Sequence, residues 1–214
     1  MSKCLIIGGG TFSKVACHLS LATPAFGATA KFLYSEWLRF SVQSYSPEPE
    51  LILTKMADQS SSLIYNDDVS AFIDKALNDS EVKVIIMNVA LCDFYMKNPS
   101  EEERLSSKEN YLCELLGVKD KILSRIKKCR PDILLVGFKT TSGDTVNQQI
   151  IKSFQMIEDS DVDFVFANDL NTRSNLLISA EKYETLVGGR ELLLQTLVAK
   201  LNKKFQEVAC YQYI

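Results

Sequence analysis

The sequence predicts a doubly wound α/β fold, a mostly parallel, Rossmann-like sheet with helices on both faces. Short β-branched runs alternate with amphipathic stretches of ten or more residues, the pattern of βαβ units. The strand candidates are continuous apolar runs, as expected for strands buried on both faces. Several run straight into glycine, hydroxyl, amide or carboxylate groups, which suits a sheet that presents its carboxyl edge to a ligand. With 214 residues, 46% of them hydrophobic, the chain can bury one full core. Residues 1–214 are therefore read as a single domain, with a lid-like insertion at about 97–119 after the strand that ends near Asp93.

Lys3–Ile7 is the first strand, followed by the glycine turn Gly8-Gly9-Gly10-Thr11. Ala25–Leu38 is helical, with Ala28, Phe32, Trp37 and Leu38 on or near one face. Leu51–Leu53 forms a strand after the turn Ser46-Pro47-Glu48-Pro49. Asp67 or Asp68 caps a helix over Asp68–Leu77, whose apolar positions are Val69, Phe72, Ile73 and Ala76. The strand Val82–Val89 follows. Lys97–Lys119 is irregular: polar first, then ambiguous at Tyr111–Val118. Ile133–Val136, Val146–Ile157 and Phe164–Phe166 make a further strand–helix–strand unit. Leu176–Ser179 is a short strand, and Gly188-Gly189 precedes a terminal amphipathic helix over Glu191–Phe205.

Four strand ends carry chemistry. Asp93 lies just past the apolar run Val84–Leu91, where a charge suits a ligand or metal better than a core. The backbone N–H groups of Gly8–Thr11 suit a phosphate, or the segment is a tight turn. The sequence is neither G-x-G-x-x-G, since Ser13 stands where the last glycine belongs, nor a P-loop. Ile133–Val136 runs into Gly137-Phe138-Lys139-Thr140-Thr141. Phe164–Phe166 runs into Ala167-Asn168-Asp169, which also reads as an Asx-turn.

Composition narrows the class. A net charge of -3 argues against nucleic acid as the main partner. The basic run Arg125–Arg130 reads as the solvated end of a helix. No segment reads as a signal peptide or a membrane span. Six cysteines without CxxC or zinc spacing suit reduced thiols and a cytoplasmic location, with Cys92 as buried filler. The single histidine, His18, is given a structural role, which removes most histidine-based catalysis and metal binding.

The phrases Gly8–Thr11, Asn88–Tyr95, Pro131–Lys139 and Asp163–Asp169 occur in this order, and Gly189-Arg-Glu-Leu192 opens the last helix. Together they resemble the phosphopantothenate–cysteine ligase family, over nearly the whole chain. That family contains the synthetase half of a flavoprotein that is fused in many bacteria to a flavin-dependent decarboxylase. The resemblance implies a ligase of coenzyme A biosynthesis. A nucleoside triphosphate, CTP or ATP, with Mg²⁺ activates the 4′-phosphopantothenate carboxylate as an acyl-nucleotide, which the amine of cysteine then attacks. It implies Gly9, Gly10 and Thr11 at the nucleotide phosphates, and Val89 and Ala90 by the base and ribose. Asp93 falls at the triphosphate–metal end, Phe138 packs on the nucleotide, and Asn168 completes that side. A homodimer and a separate decarboxylase chain are the implied protein partners.

The chain departs from the family's pattern at several positions. The lid lysine is replaced by Arg104 in Arg104-Leu-Ser-Ser107, with Lys108 one turn on as a substitute. Arginine keeps the charge but differs from lysine in geometry. Ser20 stands nearest the family's asparagine, Pro24 replaces a glycine, and Lys139-Thr-Thr-Ser142 lacks the family's acid. Arg104, Lys108 and Ser20 are the catalytic candidates that follow. Two other classes fit less well: a diverged homologue that binds nucleotide or a pantetheine-like ligand and regulates a partner, and an NAD(P)-binding oxidoreductase, whose glycine pattern fails.

Overall fold

A computed structural model describes residues 2–41, 46–100, 104–118 and 121–211. The core is a seven-stranded sheet. Five strands are parallel: β1 (Lys3–Gly10), β4 (Glu48–Leu53), β5 (Val82–Ala90), β8 (Leu134–Thr141) and β9 (Phe164–Asp169). Two antiparallel strands, β10 (Asn175–Ser179) and β11 (Thr185–Val187), extend the β9 edge. The spatial order is β11-β10-β9-β8-β5-β1-β4. The chain thus reverses direction across the sheet between β1 and β5, and the crevice at that switch point is where doubly wound folds bind ligands.

The helices cover both faces, as the alternating pattern predicts. α1 (Ala28–Ser41) and α5 (Arg190–Tyr211) pack on one face, where Ala30, Leu33, Trp37, Leu197 and Leu201 meet Cys4, Ile6, Val84 and Ile86. α2 (Asn66–Leu77), α3 (Ile122–Cys129) and α4 (Val146–Ser160) cover the other, where Val69, Ile73, Ile126 and Ile157 meet Leu5, Ile7, Ile85 and Leu135. Neighbours along β1 and β5 point to opposite faces, so these strands need apolar residues at every position. Trp37 is fully buried and donates its indole N–H to the Pro47 carbonyl at 2.9 Å.

Several boundaries differ from expectation. α1 starts at Ala28 because Gly27, at φ 74°, turns the chain before the helix. β4 takes in Pro49, which an edge strand accommodates. Asp68 lies inside α2, its carboxylate accepting from the N–H groups of Ile64 and Tyr65. β8 and β9 run on through Thr141 and Asp169, so the predicted loop phrases are strand. Two small sheets were not expected: the hairpin of β2 (Phe12–Ala16) with β3 (Leu19–Ala22), and the ribbon of β6 (Phe94–Met96) with β7 (Leu115–Gly117). The insertion is thus a ribbon rising from the β5 end; Glu101–Glu103, Lys119 and Asp120, which also belong to it, lie outside the described residues.

Candidate ligand cleft at the carboxyl edge of the sheet

A cleft of about 820 Å³ opens at the carboxyl ends of β1, β5, β8 and β9. Its walls include Gly9, the segment Thr23–Thr29 leading into α1, Asn66 and Asp67 at the start of α2, and Asn88–Asp93 at the end of β5 and just past it. Lys121 just ahead of α3, Ile122, Leu123 and Arg125 within it, Phe138–Thr140 of β8, Asn168, and Arg190 at the start of α5 also line it. Alternation along β8 divides this lining. Phe138 packs with the α1/α5 core and stacks on Phe166, ring centroids 5.4 Å apart, while Lys139 projects toward the α2–α4 side. Thr140 donates to Asn168 at 3.3 Å.

The glycines let the backbone approach. Gly9 has φ 105°, and a Cβ there would lie 2.2 Å from the Thr54 hydroxyl oxygen. Gly10 packs against the Thr23 carbonyl rather than forming part of the cleft lining. The expectation for Thr11 is corrected. Its side chain is fully buried, and its hydroxyl donates to Asn66 Oδ1 at 2.6 Å while accepting from the Cys92 N–H at 2.8 Å. Asn66 Nδ2 in turn donates to the Cys92 carbonyl at 2.7 Å. This clasp ties the ends of β1 and β5 to the start of α2, so the buried Thr11 hydroxyl is engaged in holding the rim. Thr11→Val is expected to cost about 1 kcal/mol, because its hydroxyl bonds are lost while the Cys92 N–H keeps Asn66 Oδ1, at 3.0 Å, as its acceptor. Denaturant unfolding followed by the fluorescence of Trp37 measures it.

Of the remaining expected residues, Val89, Ala90, Asp93, Phe138 and Asn168 all line the cleft. Asp93 is exposed at the rim, where its carbonyl accepts from the Val118 N–H. Arg104, Lys108 and Ser20 are exposed and lie outside the lining: Ser20 sits opposite Lys14 on the β2–β3 hairpin, and the other two on the segment between β6 and β7. His18 is exposed at the hairpin turn, and Cys92 is buried, as expected of filler. Arg125 corrects the reading of its basic run. Its guanidinium reaches back to Ser70 Oγ at 2.7 Å and Asp74 at 3.1 Å, on the cleft wall. Farther along, Arg130 binds Asp132 and the carbonyls of Leu77, Asp79 and Val82.

Sequence reasoning about strand ends also missed the half-buried Arg190. It donates to Thr29 Oγ1 at 2.8 Å and lies 5.3 Å from the Phe166 ring centroid. Burial lowers its pKa from the usual arginine value, and no carboxylate faces it among the described residues. Four cations (Lys121, Arg125, Lys139, Arg190) against two carboxylates (Asp67, Asp93) make the lining cationic on a chain of net charge -3. Among the described residues no group of three or more histidine, cysteine, aspartate or glutamate side chains forms a metal site. One rim carboxylate fits only a cation that arrives on a triphosphate, as Mg²⁺ commonly does.

Asp169 organises the far wall. Burial disfavours its charge, but the N–H groups of Thr172, Asp144 and Gly143 and the Thr141 hydroxyl outweigh this and hold its carboxyl well below the usual range. Gln149 joins through Thr141 and Ser174. The stability Asp169 contributes is present in full above the unfolded value of about 3.9 and is lost only as pH falls through the depressed folded value. Asp169→Asn is therefore expected to lower the denaturation midpoint clearly at about pH 6. The gap from wild type should begin to narrow at about pH 3, because the unfolded-state carboxyl, at about 3.9, takes up its proton while the folded one is still ionised.

A mostly parallel sheet with its switch point beneath an open, cationic cleft defines a doubly wound α/β protein. The chain belongs to the DNA/pantothenate metabolism flavoprotein C-terminal domain family, whose model matches residues 62–204. It is 29% identical over 119 residues to the coenzyme A biosynthesis bifunctional protein CoaBC of Thermococcus kodakarensis; that match takes in 56% of this chain and 28% of the relative's length. The fold is that of the DNA/pantothenate metabolism flavoprotein from Streptococcus pneumoniae, at TM-score 0.77 and 20% identity over 97% of this chain and 100% of that one. The C-terminal domain of a CoaBC protein superposes at TM-score 0.66 and 15% identity, covering 96% of each chain. The Cab2 H337A mutant in complex with phosphopantothenate-cysteine gives 0.67 at 12% identity, over 99% of this chain and 89% of that one.

Proposed function

We propose that the chain is a ligase joining 4′-phosphopantothenate to cysteine through an acyl-nucleotide, in coenzyme A biosynthesis. The observation that carries this reading is the cationic, aromatic-floored cleft at the switch point of a chain in this family. Both substrates of the first half-reaction are polyanions, and nucleotidyl transfer depends on positioning and charge neutralisation. In this reading the backbone at Gly9 approaches the phosphates, and Val89 and Ala90 flank base and ribose. Phe138 packs on the nucleotide beside Asn168. Asp93 faces the triphosphate and the Mg²⁺ it carries. Arg104 and Lys108 act from a lid that closes over the opening, and Ser20 from the hairpin beside it.

The ribbon and its connection carry exposed apolar residues, Phe94, Tyr95, Leu112 and Leu115, which suit a second copy of the chain. A homodimer, a separate decarboxylase chain and a cytoplasmic setting belong to this same reading. No helix among the described residues is long and apolar enough to cross a membrane. A second reading, a non-catalytic relative that binds nucleotide and regulates a partner, is favoured by one observation: Ser20, Arg104 and Lys108 all lie outside the cleft walls.

Pyrophosphate release with 4′-phosphopantothenate, cysteine and Mg²⁺, run in parallel with CTP and ATP, separates the two. Release coupled to amide product supports the ligase and identifies the nucleotide. Nucleotide binding with no turnover supports the regulatory reading. Within the ligase reading, Asp93→Asn is expected to slow pyrophosphate release roughly tenfold or more with the fold intact, through weaker metal–triphosphate engagement; an unchanged rate removes Asp93 from the site.

A further inference from the structure

We infer that Lys121, Arg125 and Lys139 form a phosphate subsite on the α2/α3 side of the cleft, separate from the surface around Phe138 and Asn168. The inference deepens the proposed function, since it rests on this cleft being the ligand site. Lys139 stands near the end of β8, half-buried, and its ammonium makes no hydrogen bond or ion pair with any described residue. Alternation along the strand turns it away from Phe138 and Thr140, toward the wall that α3 supplies. Lys121 lines that wall at the start of α3, and its ammonium likewise has no partner among the described residues.

Arg125, one turn along α3, is held in place by Ser70 and Asp74. Its Nε is nevertheless buried without an acceptor. A buried donor left unpaired is costly, and a ligand oxygen at this wall would satisfy it. Three cations lining one cleft, one of them with an unpaired guanidinium N–H, suit a dianionic phosphate monoester better than a carboxylate. The carboxylates nearby bound the subsite: Asp74 is already engaged by Arg125, while Asp67 and Asp93 lie at the start of α2 and past β5. The phosphate can come from 4′-phosphopantothenate or from the nucleotide; the chemistry is shared.

Isothermal titration of wild type, Lys139→Ala, Lys121→Ala and Lys139→Arg with 4′-phosphopantothenate, pantothenate, CTP and ATP, each alone, tests the inference. Both alanine variants are expected to weaken one phosphorylated ligand by about tenfold, the scale of a lost charge-assisted hydrogen bond. Binding of pantothenate should not change, and Lys139→Arg should restore most of the affinity. A loss confined to 4′-phosphopantothenate assigns the subsite to the acid; a loss confined to CTP or ATP assigns it to the nucleotide. Variants that bind every phosphorylated ligand as wild type does, while wild type binds nucleotide, overturn the subsite and leave the functional reading standing. A correctly folded wild type that binds none of the ligands overturns both.

Discussion

Gly9→Ala is expected to lower stability by about 2–6 kcal/mol and to abolish nucleotide binding. Two penalties add. The residue holds φ at 105°, where a side chain costs about 1–3 kcal/mol. The new Cβ would also lie 2.2 Å from the Thr54 hydroxyl oxygen and 3.0 Å from the Ala57 Cβ, an overpacking that costs about 1–3 kcal/mol more. Thr54 is fully buried and donates to the Gly10 carbonyl at 2.7 Å, so it has little room to withdraw. The clash is relieved only by moving the β1 end, and that end is a wall of the cleft. Urea unfolding and nucleotide titration of the same variant check both parts. Wild-type stability with wild-type affinity would show that the backbone here is not constrained as described.

The second large effect lies at the opposite edge of the sheet. Asp163, just ahead of β9, accepts from the Leu135 N–H at 2.9 Å and pairs with Lys127 of α3 at 2.8 Å and Lys204 of α5 at 3.0 Å. Those helices lie on opposite faces, so one carboxylate pins both layers to the β8–β9 pair. The side chains of Asp163 and Lys127 are only 12% and 10% exposed. Asp163→Ala strands two cations and an amide donor in that setting, and the expected loss is about 3–5 kcal/mol. Asp163→Asn should recover part of it by keeping an acceptor for Leu135. Cleft affinity should be unchanged in whatever fraction remains folded, since this edge is remote from the ligand.

These two positions differ in how far the sequence announced them. The apolar run of β1 was legible, because β1, β5, β8 and β9 show buried strands as uninterrupted apolar residues, but Gly8–Gly10, read as a turn, continue the strand beside Asn88–Ala90. Their polar continuations were not legible. Phe138–Thr141 and Ala167–Asp169 read as loops, yet they stay in the ladder as β8–β9 pairs, and only the pairing sets which side chains share a face. The three-residue strands of the ribbon are too short to leave a period of their own.

In the site, Asp93, Phe138 and Asn168 were reached from strand ends and family resemblance, and all three line the cleft. Thr11 shows the limit of motif reading. A hydroxyl beside three glycines suggests a phosphate donor, but Asn66, 55 residues along the chain, takes it for the rim. Arg125 was misplaced for a related reason. A basic helical run looks solvated until the fold sets one of its turns against α2. Lys139 lay in a strand-end phrase without a role of its own, because its significance comes from the α3 side of the cleft that its alternation turns it toward.

A crystal structure of the protein with nucleotide and 4′-phosphopantothenate bound, in the absence of cysteine, tests the central claim most directly. The account predicts ligand density at the carboxyl ends of β1 and β5, with the base or ribose against Phe138 and Asn168. Ligand bound elsewhere, with this cleft holding only solvent, would contradict it.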